Sequence, residues 1–270
     1  MTKDKITARE RRLAQAQQFN LLNNAFLSVA LRERDACQYV LRVLTGIQKL
    51  TVRQVRTQYR LAKVSSHDAV LDILAQDNDG QLYNVEIQRS ESPDHARRVR
   101  FYGAMIDSEY LEKGEQYNRL PEVYLIYISE TDLWRKGKTV YWLDKELRGT
   151  QSPYDDGQHT LYVNAAVDDG SPVAALMRYF KTADPGDMRY GALSKRVHHL
   201  KREQGGQLEM KNVQDEIFME GKEEGLEEGK EKERAEILRS IVKNLGVTAD
   251  KAMQLMGLSE TEKQKLAGKL

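Results

Sequence analysis

Two acidic side chains, Asp72 and Glu86, lie in short apolar segments of the sequence, where an unpaired charge is costly to bury. Asp72 belongs to the apolar run 69–75, and Glu86 belongs to the run 82–88. An Asn-Asp-Gly turn at 78–80 separates the two runs, which together are typical of a β-hairpin. Because side chains opposite one another on paired strands lie close together, the two acids predict a divalent-metal site.

The chemistry of such a site would be hydrolysis of a phosphodiester. Mg²⁺ takes oxygen ligands, and protein sites for it usually supply one or two carboxylates beside water and substrate phosphate. A bound metal lowers the pKa of its water and stabilises charge on the phosphate. Gln88 follows Glu86 by two residues, so it projects from the same face of the strand. The residues alone leave one alternative open, in which Asp72 and Glu86 face solvent on a half-exposed sheet.

The surrounding elements are predicted from hydrophobic periodicity. Helices are expected over 5–22, 24–45 and 94–113, strands over 69–75, 82–88 and 123–128, and short strands with a helix near 171–181 in the region 130–192. Residues 52–61 mix apolar with basic and polar residues and are not clearly assigned to a strand. Helix, hairpin, helix and strand in this order predict an α/β fold.

The C-terminal part of the chain has a different composition. We predict a main domain over 1–206, a charged helical tail over 207–244 and a short helical hairpin over 245–270. Three glycines recur every four residues in the tail, on one helical face: Gly221, Gly225 and Gly229. Such a helix is a candidate surface for a second copy of the chain or for another protein.

Charge and composition narrow the function classes. The formal net charge is +1, but residues 1–60 hold 12 basic and 4 acidic side chains. This local excess of positive charge has two interpretations: a surface for a polyanionic partner such as DNA, or ordinary helix faces exposed to solvent. The single cysteine, Cys37, lies in a segment with helical spacing, so we predict that it is a core residue. No apolar run is long enough to span a membrane, and no apolar stretch follows the N-terminus. The expected compartment is the cytoplasm.

The acid, hairpin and acid-x-Gln pattern resembles the core of PD-(D/E)XK nucleases. More narrowly, the segments 71–74, 78–80 and 84–88 resemble the PD-(D/E)XK nuclease family transposases, relatives of the bacterial recombination-promoting nucleases. The arginine-rich segment 97–102 and the segment 114–128 extend this resemblance.

The resemblance implies a restriction-endonuclease-like mixed sheet flanked by helices, and a Mg²⁺- or Mn²⁺-dependent endonuclease that acts on DNA. It implies that Asp72 and Glu86 bind the metal. It places Gln88 where the class has a lysine that orients water or offsets developing charge. Arg98 and Arg100 would contact DNA phosphate from the helix after the hairpin.

The same resemblance also shows where this sequence departs from the class. A further acid often comes from the first helix, and the matching positions here are Asn23 and Asn24. Asparagine offers a carbonyl oxygen without a charge. Together with Gln88, these neutral residues leave a second function open: a nuclease-fold protein that binds DNA or another protein and cuts little or nothing.

Overall fold

The structure, a computed structural model, describes residues 18–61, 68–88, 94–210, 236–242, 244 and 246–256. The chain divides into two compact units, Met1–Val213 and Gln214–Leu270. Most of the helix predicted over 5–22 lies outside the described residues, and residues 19–22 within it are not helical. The glycine-spaced part of the tail also lies outside the described residues.

The first unit is built on a six-stranded mixed sheet with the order β1-β2-β3-β4-β8-β5. The strands of this sheet are β1 (Val52–Leu61), β2 (Ala69–Asp77), β3 (Leu82–Gln88), β4 (Val123–Ser129), β5 (Val140–Leu143) and β8 (Gln158–Asn164). The short strands β6 (Glu146–Leu147) and β7 (Ser152–Pro153) form a separate ribbon. β3, β4 and β8 run parallel, whereas β1, β2 and β5 pair antiparallel to their neighbours.

Helices flank this sheet. They are α1 (Asn24–Leu31), α2 (Arg34–Thr45), α3 (His95–Tyr110), α4 (Pro172–Thr182) and α5 (Gly191–Arg202). The arrangement confirms the predicted α/β class and is consistent with a restriction-endonuclease-like fold. In the second unit, α6 (Ala249–Leu255) begins at the cap residue Thr248, and a small apolar cluster contains Leu238, Ala252 and Met253.

Burial explains which strands the sequence revealed. Residues 82–87 of β3 and 125–129 of β4 are all buried, as expected for central strands covered on both faces. β1 is an edge strand, and the side chains in its middle are half-buried. The charged and polar residues of β1 obscure the alternation of apolar and polar side chains that is typical of a strand. The sequence alone therefore did not assign these residues clearly.

The single helix predicted over 24–45 was wrong, because it is two helices. The side chain of Glu33 accepts hydrogen bonds from the backbone N–H groups of Asp35 and Ala36 and so begins α2. Gly46, at a φ of 76°, ends α2 in the left-handed conformation that favours glycine.

Helix α3 lies close against the sheet at Gly103. A Cβ atom at this position would come within 3.1 Å of side-chain atoms of Leu125 and Gln158. The glycine therefore permits a close approach of α3 to β4 and β8. No helix in the described part of the chain has the length and hydropathy that a membrane span requires.

Candidate active site

Asp72 and Glu86 face each other where β2 and β3 diverge. The last backbone pair of the two strands is Ile73 with Val85, and the same register places Asp72 opposite Glu86. Beyond that pair, side chains bridge the strands. The backbone N–H of Asp72 donates to Glu86 Oε1 at 3.2 Å, and the backbone N–H of Ile87 donates to Asp72 Oδ2 at 3.0 Å.

Both carboxylates are buried, each with a relative exposure of 7%. Burial raises the pKa of the Asp72 carboxyl, although the Ile87 N–H, Gln58 and the charge of Arg98 act in the opposite direction. Burial, and then the charge of Asp72, raise the pKa of the Glu86 carboxyl well above its usual value. Two acids that disfavour each other's ionisation at close range are a common feature of functional sites.

A second layer of amides reaches Asp72 from α1 and β1. Asn24 Nδ2 donates to Asp72 Oδ1 at 3.3 Å, and Gln58 Nε2 lies 3.5 Å from the same oxygen. Gln58 Nε2 also donates to Ser28 Oγ at 2.9 Å. Asn24 thus lies beside the acid pair, whereas Asn23 caps α1 by accepting from the backbone N–H of Phe26 at 3.0 Å.

The backbone of β1 is distorted where Gln58 reaches the site. Gln58 has a φ of 50°, in the left-handed region, inside a strand. That conformation costs a non-glycine residue about 1–2 kcal/mol. Strain of this kind is concentrated at functional sites, and here it accompanies the contacts of Gln58 with Ser28 and Asp72.

We expect the substitution Gln58→Gly to leave the protein more stable than Gln58→Ala does. Both variants lose the side-chain hydrogen bonds, but glycine adopts the left-handed conformation without steric cost. The difference should be about 1 kcal/mol, or roughly 2–4 °C in melting temperature. Thermal unfolding of the two variants checks it, and an alanine variant at least as stable as the glycine variant would contradict the strained backbone.

Helix α3 covers the other side of the acid pair. Arg98 Nη1 donates to Gln88 Oε1 at 3.0 Å, so the two predicted residues are in contact. Tyr102 lies one helical turn after Arg98, on the same face. Burial and the charge of Glu86 raise the pKa of Tyr102 to about 12, so its hydroxyl remains a hydrogen-bond donor at neutral pH.

The structure brings some of the predicted residues together and not others. Asp72, Glu86, Gln88 and Arg98 form one cluster, with Arg98 lowering the pKa of both carboxyls. Arg98 and Arg100 are both exposed on α3, but Arg100 is not among the groups that shift those pKa values most. The catalytic, metal-binding and phosphate-binding roles of these residues remain predictions.

Sequence reasoning missed Gln58 and Tyr102. Gln58 lies in β1, which had no clear pattern, and its contact depends on a backbone distortion. Tyr102 had a usable signal, because it lies four residues after Arg98 in a predicted helix and therefore shares its face.

The donor atoms of the cluster suit a hard divalent cation. Two carboxylates face each other, and an amide of Asn24 lies beside Asp72. Among the described residues, Arg98 is the positive group that acts on both carboxylates, and neither of them forms a salt bridge. Burial of two adjacent negative charges is unfavourable unless a positive charge compensates it. Mg²⁺ or Mn²⁺ would supply that charge, with Asp72 and Glu86 holding it.

We expect Glu86→Gln to raise the melting temperature at neutral pH in EDTA. The folded state raises the pKa of Glu86, so this carboxyl favours folding at low pH, and its contribution is lost as the pH rises towards the raised value. Glutamine keeps an oxygen for the Asp72 N–H and removes the ionised group. Each kcal/mol that the substitution adds to the free energy of unfolding should raise the melting temperature by about 2–4 °C.

Mg²⁺ provides the matching half of this experiment. It should raise the melting temperature of the parent, because a ligand that binds only the folded state stabilises it, and it should have much less effect on Glu86→Gln. Differential scanning fluorimetry with EDTA and with Mg²⁺ measures both effects. A variant that melts below the parent in EDTA would show that the ionised pair is not destabilising.

A different cluster of possible metal ligands lies elsewhere in the described part of the chain. Glu122, Asp155 and His159 each place one ligand atom within 4.8 Å of the others. Glu122 precedes β4 and His159 lies near the start of β8, whereas Glu86 lies near the end of the parallel strand β3. This cluster is therefore at the opposite end of the parallel strands. His159 Nε2 and Glu122 Oε2, 2.5 Å apart, already pair with each other.

The fold and the acid pair agree with one class of protein. A mixed sheet flanked by helices, with facing acids on adjacent strands, is consistent with a restriction-endonuclease-like nuclease domain. Residues 41–157 match the family described as PD-(D/E)XK nuclease family transposase. The comparison with curated proteins and that with solved structures gave no match.

The matched segment confirms the predicted resemblance. It contains the hairpin with Asp72 and Glu86, the helix with Arg98 and strand β4, but it begins after α1 with Asn24. Nuclease or transposase function, with nucleic acid as the substrate, is what this family indicates, and PD-(D/E)XK nucleases use divalent metals.

Proposed function

We propose that this protein is a Mg²⁺- or Mn²⁺-dependent DNA endonuclease that hydrolyses phosphodiester bonds, of the transposase or recombination-promoting type. The observation that carries the proposal is the facing pair of buried carboxylates, Asp72 and Glu86, at the point where β2 and β3 diverge. The match of residues 41–157 to a nuclease family supports it.

In this proposal, Asp72 and Glu86 hold the metal, which when bound would acidify an attacking water and stabilise charge on the phosphate. Two backbone N–H groups fix the carboxylates, because Asp72 N–H donates to Glu86 and Ile87 N–H donates to Asp72. Asn24 and Gln58 hold Asp72 from the other side. The acids are thus oriented before any ligand arrives, which lowers the cost of reorganisation during the reaction.

The positive charge of the site comes from α3. The class has a lysine where this chain has Gln88, and a neutral amide orients water but does not offset negative charge. Arg98 donates to Gln88 Oε1, which places a guanidinium beside that amide. Because arginine binds phosphate oxygens with two parallel donors, Arg98 is suited to the charge-stabilising part of the lysine's role, and Gln88 to the orientation of water.

A second function is favoured by one specific observation. Neutral side chains, Gln88 and Asn24, lie beside the acid pair where the resemblance implies a lysine and a further acid. A nuclease-fold protein that binds DNA or another protein with little or no cleavage would tolerate both. The predicted surface for a second copy or a protein partner, the tail over 207–244, remains a prediction and lies largely outside the described residues.

Nicking of supercoiled plasmid by the purified protein separates the two functions. The assay is run in parallel with Mg²⁺, Mn²⁺, Ca²⁺ and EDTA. The nuclease proposal predicts relaxed and linear products with Mg²⁺ or Mn²⁺ and intact plasmid in EDTA. Intact plasmid under all four conditions, accompanied by a shift of the DNA on a gel, would favour the binding function.

A further inference from the structure

A tight loop leaves the sheet beside the acid pair. β4 is parallel to β3, and its last residue, Ser129, is in register with Gln88. The backbone N–H of Glu130 then donates to the carbonyl of Gln88 at 3.3 Å. The loop over 130–139 therefore begins at the end of the sheet where the predicted catalytic residues lie.

This loop presents an aromatic ring among positive charges. Trp134 is 37% exposed, although large aromatic side chains are usually buried. Arg135, Lys136 and Lys138 follow it and are all exposed. Aromatic rings interleaved with basic side chains are typical of surfaces that bind single-stranded nucleic acid, where bases stack and phosphates pair with cations.

The loop is held in one conformation by its own hydrogen bonds. The carboxylate of Asp132 accepts from the backbone N–H groups of Arg135 at 3.1 Å and Gly137 at 2.9 Å. The hydroxyl of Tyr141 donates to Asp132 Oδ1 at 2.7 Å, and the backbone N–H groups of Lys136 and Lys138 lie 3.3 Å from that hydroxyl. A ring presented by such a loop loses little entropy when it binds a ligand.

Edge contacts also fix the Trp134 ring. It makes edge-on contacts with His95 at 5.5 Å and Tyr162 at 4.6 Å between ring centroids, with an interplanar angle of 85° in each case, and a third with Tyr141 at 5.0 Å and 61°. Perpendicular neighbours support a ring from its edge or its face without forming a parallel stack on it. Tyr127 lies against both His95 and Tyr162, and its strand neighbour in register is Glu86. A continuous group of aromatic rings thus joins Trp134 to the acid pair.

Two polar atoms in this group, Tyr127 Oη and His95 Nδ1, are buried and have no hydrogen-bond partner within the described part of the chain. Tyr127 is 1% exposed, and burial raises the pKa of its hydroxyl to about 12, whereas the charge of Arg98 acts in the opposite direction. Unsatisfied buried polar groups are uncommon in proteins, and a functional role is one of the reasons for them. Their position between Trp134 and Glu86 is compatible with a role of this aromatic group in the site.

We propose that Trp134 is a stacking platform for an unpaired nucleobase, so that the site prefers DNA with unpaired bases next to the bond to be cut. The inference rests on the proposed nuclease function and specifies its substrate class. A base within an intact duplex is stacked on its neighbours and does not offer a free face to a protein ring. Arg135, Lys136 and Lys138 would pair with the phosphates on either side of the stacked base.

Intrinsic fluorescence tests this proposal, because the chain has 2 tryptophans, Trp134 and Trp142. Trp142 is a matched control, since it is 44% exposed but follows Tyr141 in β5 and therefore projects from the other face of the sheet. The variant Trp142→Phe reports on Trp134 alone, and Trp134→Phe reports on Trp142 alone. Each is titrated, in Ca²⁺, with a single-stranded oligonucleotide of about 15 nucleotides and with a blunt duplex of the same length.

Single-stranded DNA should quench Trp134 strongly and Trp142 little, and the duplex should quench neither to a comparable extent. Trp134→Ala should weaken single-strand binding about 5- to 100-fold at fixed salt, with partial recovery in Trp134→Phe. The fluorescence of Trp134 is measured without removing its ring, so an unfolded alanine variant would not obscure the result. Equal quenching by duplex and single strand, or no quenching of Trp134, would overturn the proposal.

Failure of the stacking proposal can be distinguished from failure of the nuclease proposal. Metal-dependent nicking of plasmid without quenching of Trp134 would remove the stacking platform and leave the nuclease function standing. Quenching by single-stranded DNA, with plasmid intact in Mg²⁺ and Mn²⁺, would keep a base-binding site on a protein that does not cut. A Trp134 that responds to neither nucleic acid overturns the inference whatever the nicking result.

Discussion

Alanine at either position of the acid pair, Asp72→Ala or Glu86→Ala, is expected to abolish metal-dependent nicking of plasmid. In the proposed mechanism each substitution removes a metal ligand and leaves the other carboxylate alone, so most of the metal's stabilisation of the transition state would be lost. The stabilisation amounts to several kcal/mol, which corresponds to a loss of about 10³-fold or more in rate. Initial rates of nicking at saturating Mg²⁺ measure the effect.

The chain provides a matched control on the same strand. Asp77 is also a buried acid of β2, with 3% exposure, but its carboxylate accepts from Tyr83 Oη and from backbone N–H groups of the turn, away from Glu86. Asp72→Asn should lose activity and Asp77→Asn should keep it, provided that both variants are folded. Parental rates in Asp72→Asn and Glu86→Gln would show that the site is elsewhere.

Removal of the Arg98 guanidinium should have the next largest effect. Arg98 donates to Gln88 and is the positive group whose charge lowers the pKa of both acids. Loss of one oriented donor at a reacting oxygen typically reduces the rate by about 10²–10³-fold, and we expect this range for Arg98→Ala. The rate is compared at saturating DNA, because loss of a cation also weakens phosphate binding.

Two further variants determine what Arg98 does. Arg97→Ala is the matched control, since Arg97 is the neighbouring arginine on the same helix but is not among the groups that shift the pKa values of the two acids most, and its loss should affect DNA affinity without a comparable loss of rate. In the double variant Gln88→Lys with Arg98→Ala, a lysine at 88 should restore part of the activity, because it returns a positive charge to the position where the class carries one. No recovery in the double variant would contradict the assignment of this charge to Arg98.

The acid pair was predictable because it violates a strong rule. Carboxylates are rare in apolar strands, so Asp72 and Glu86 stood out, and the Asn-Asp-Gly turn between them fixed their strands as neighbours. The helix that carries Arg98 was predictable from its periodicity. These signals are local, and they sufficed for the fold class and the centre of the candidate site.

The rest of the candidate site depends on contacts between distant parts of the chain. Gln58 lies in an edge strand whose polar composition concealed it, and its role follows from a left-handed backbone that no residue pattern indicates. Trp134 is distant in sequence from His95 and Tyr162, and the fold alone brings the three rings together. Such long-range aromatic contacts carry no sequence period, so the sequence did not predict them.

The most direct test of the central claim, that Asp72 and Glu86 hold the catalytic metal, is Mn²⁺ binding measured by electron paramagnetic resonance alongside Mn²⁺-dependent nicking. We predict that Asp72→Asn and Glu86→Gln lose both a bound Mn²⁺ and nicking, whereas His159→Ala, which disrupts the cluster with Glu122 and Asp155, keeps both. Loss of binding and nicking in His159→Ala, with both retained in Asp72→Asn and Glu86→Gln, would contradict the account.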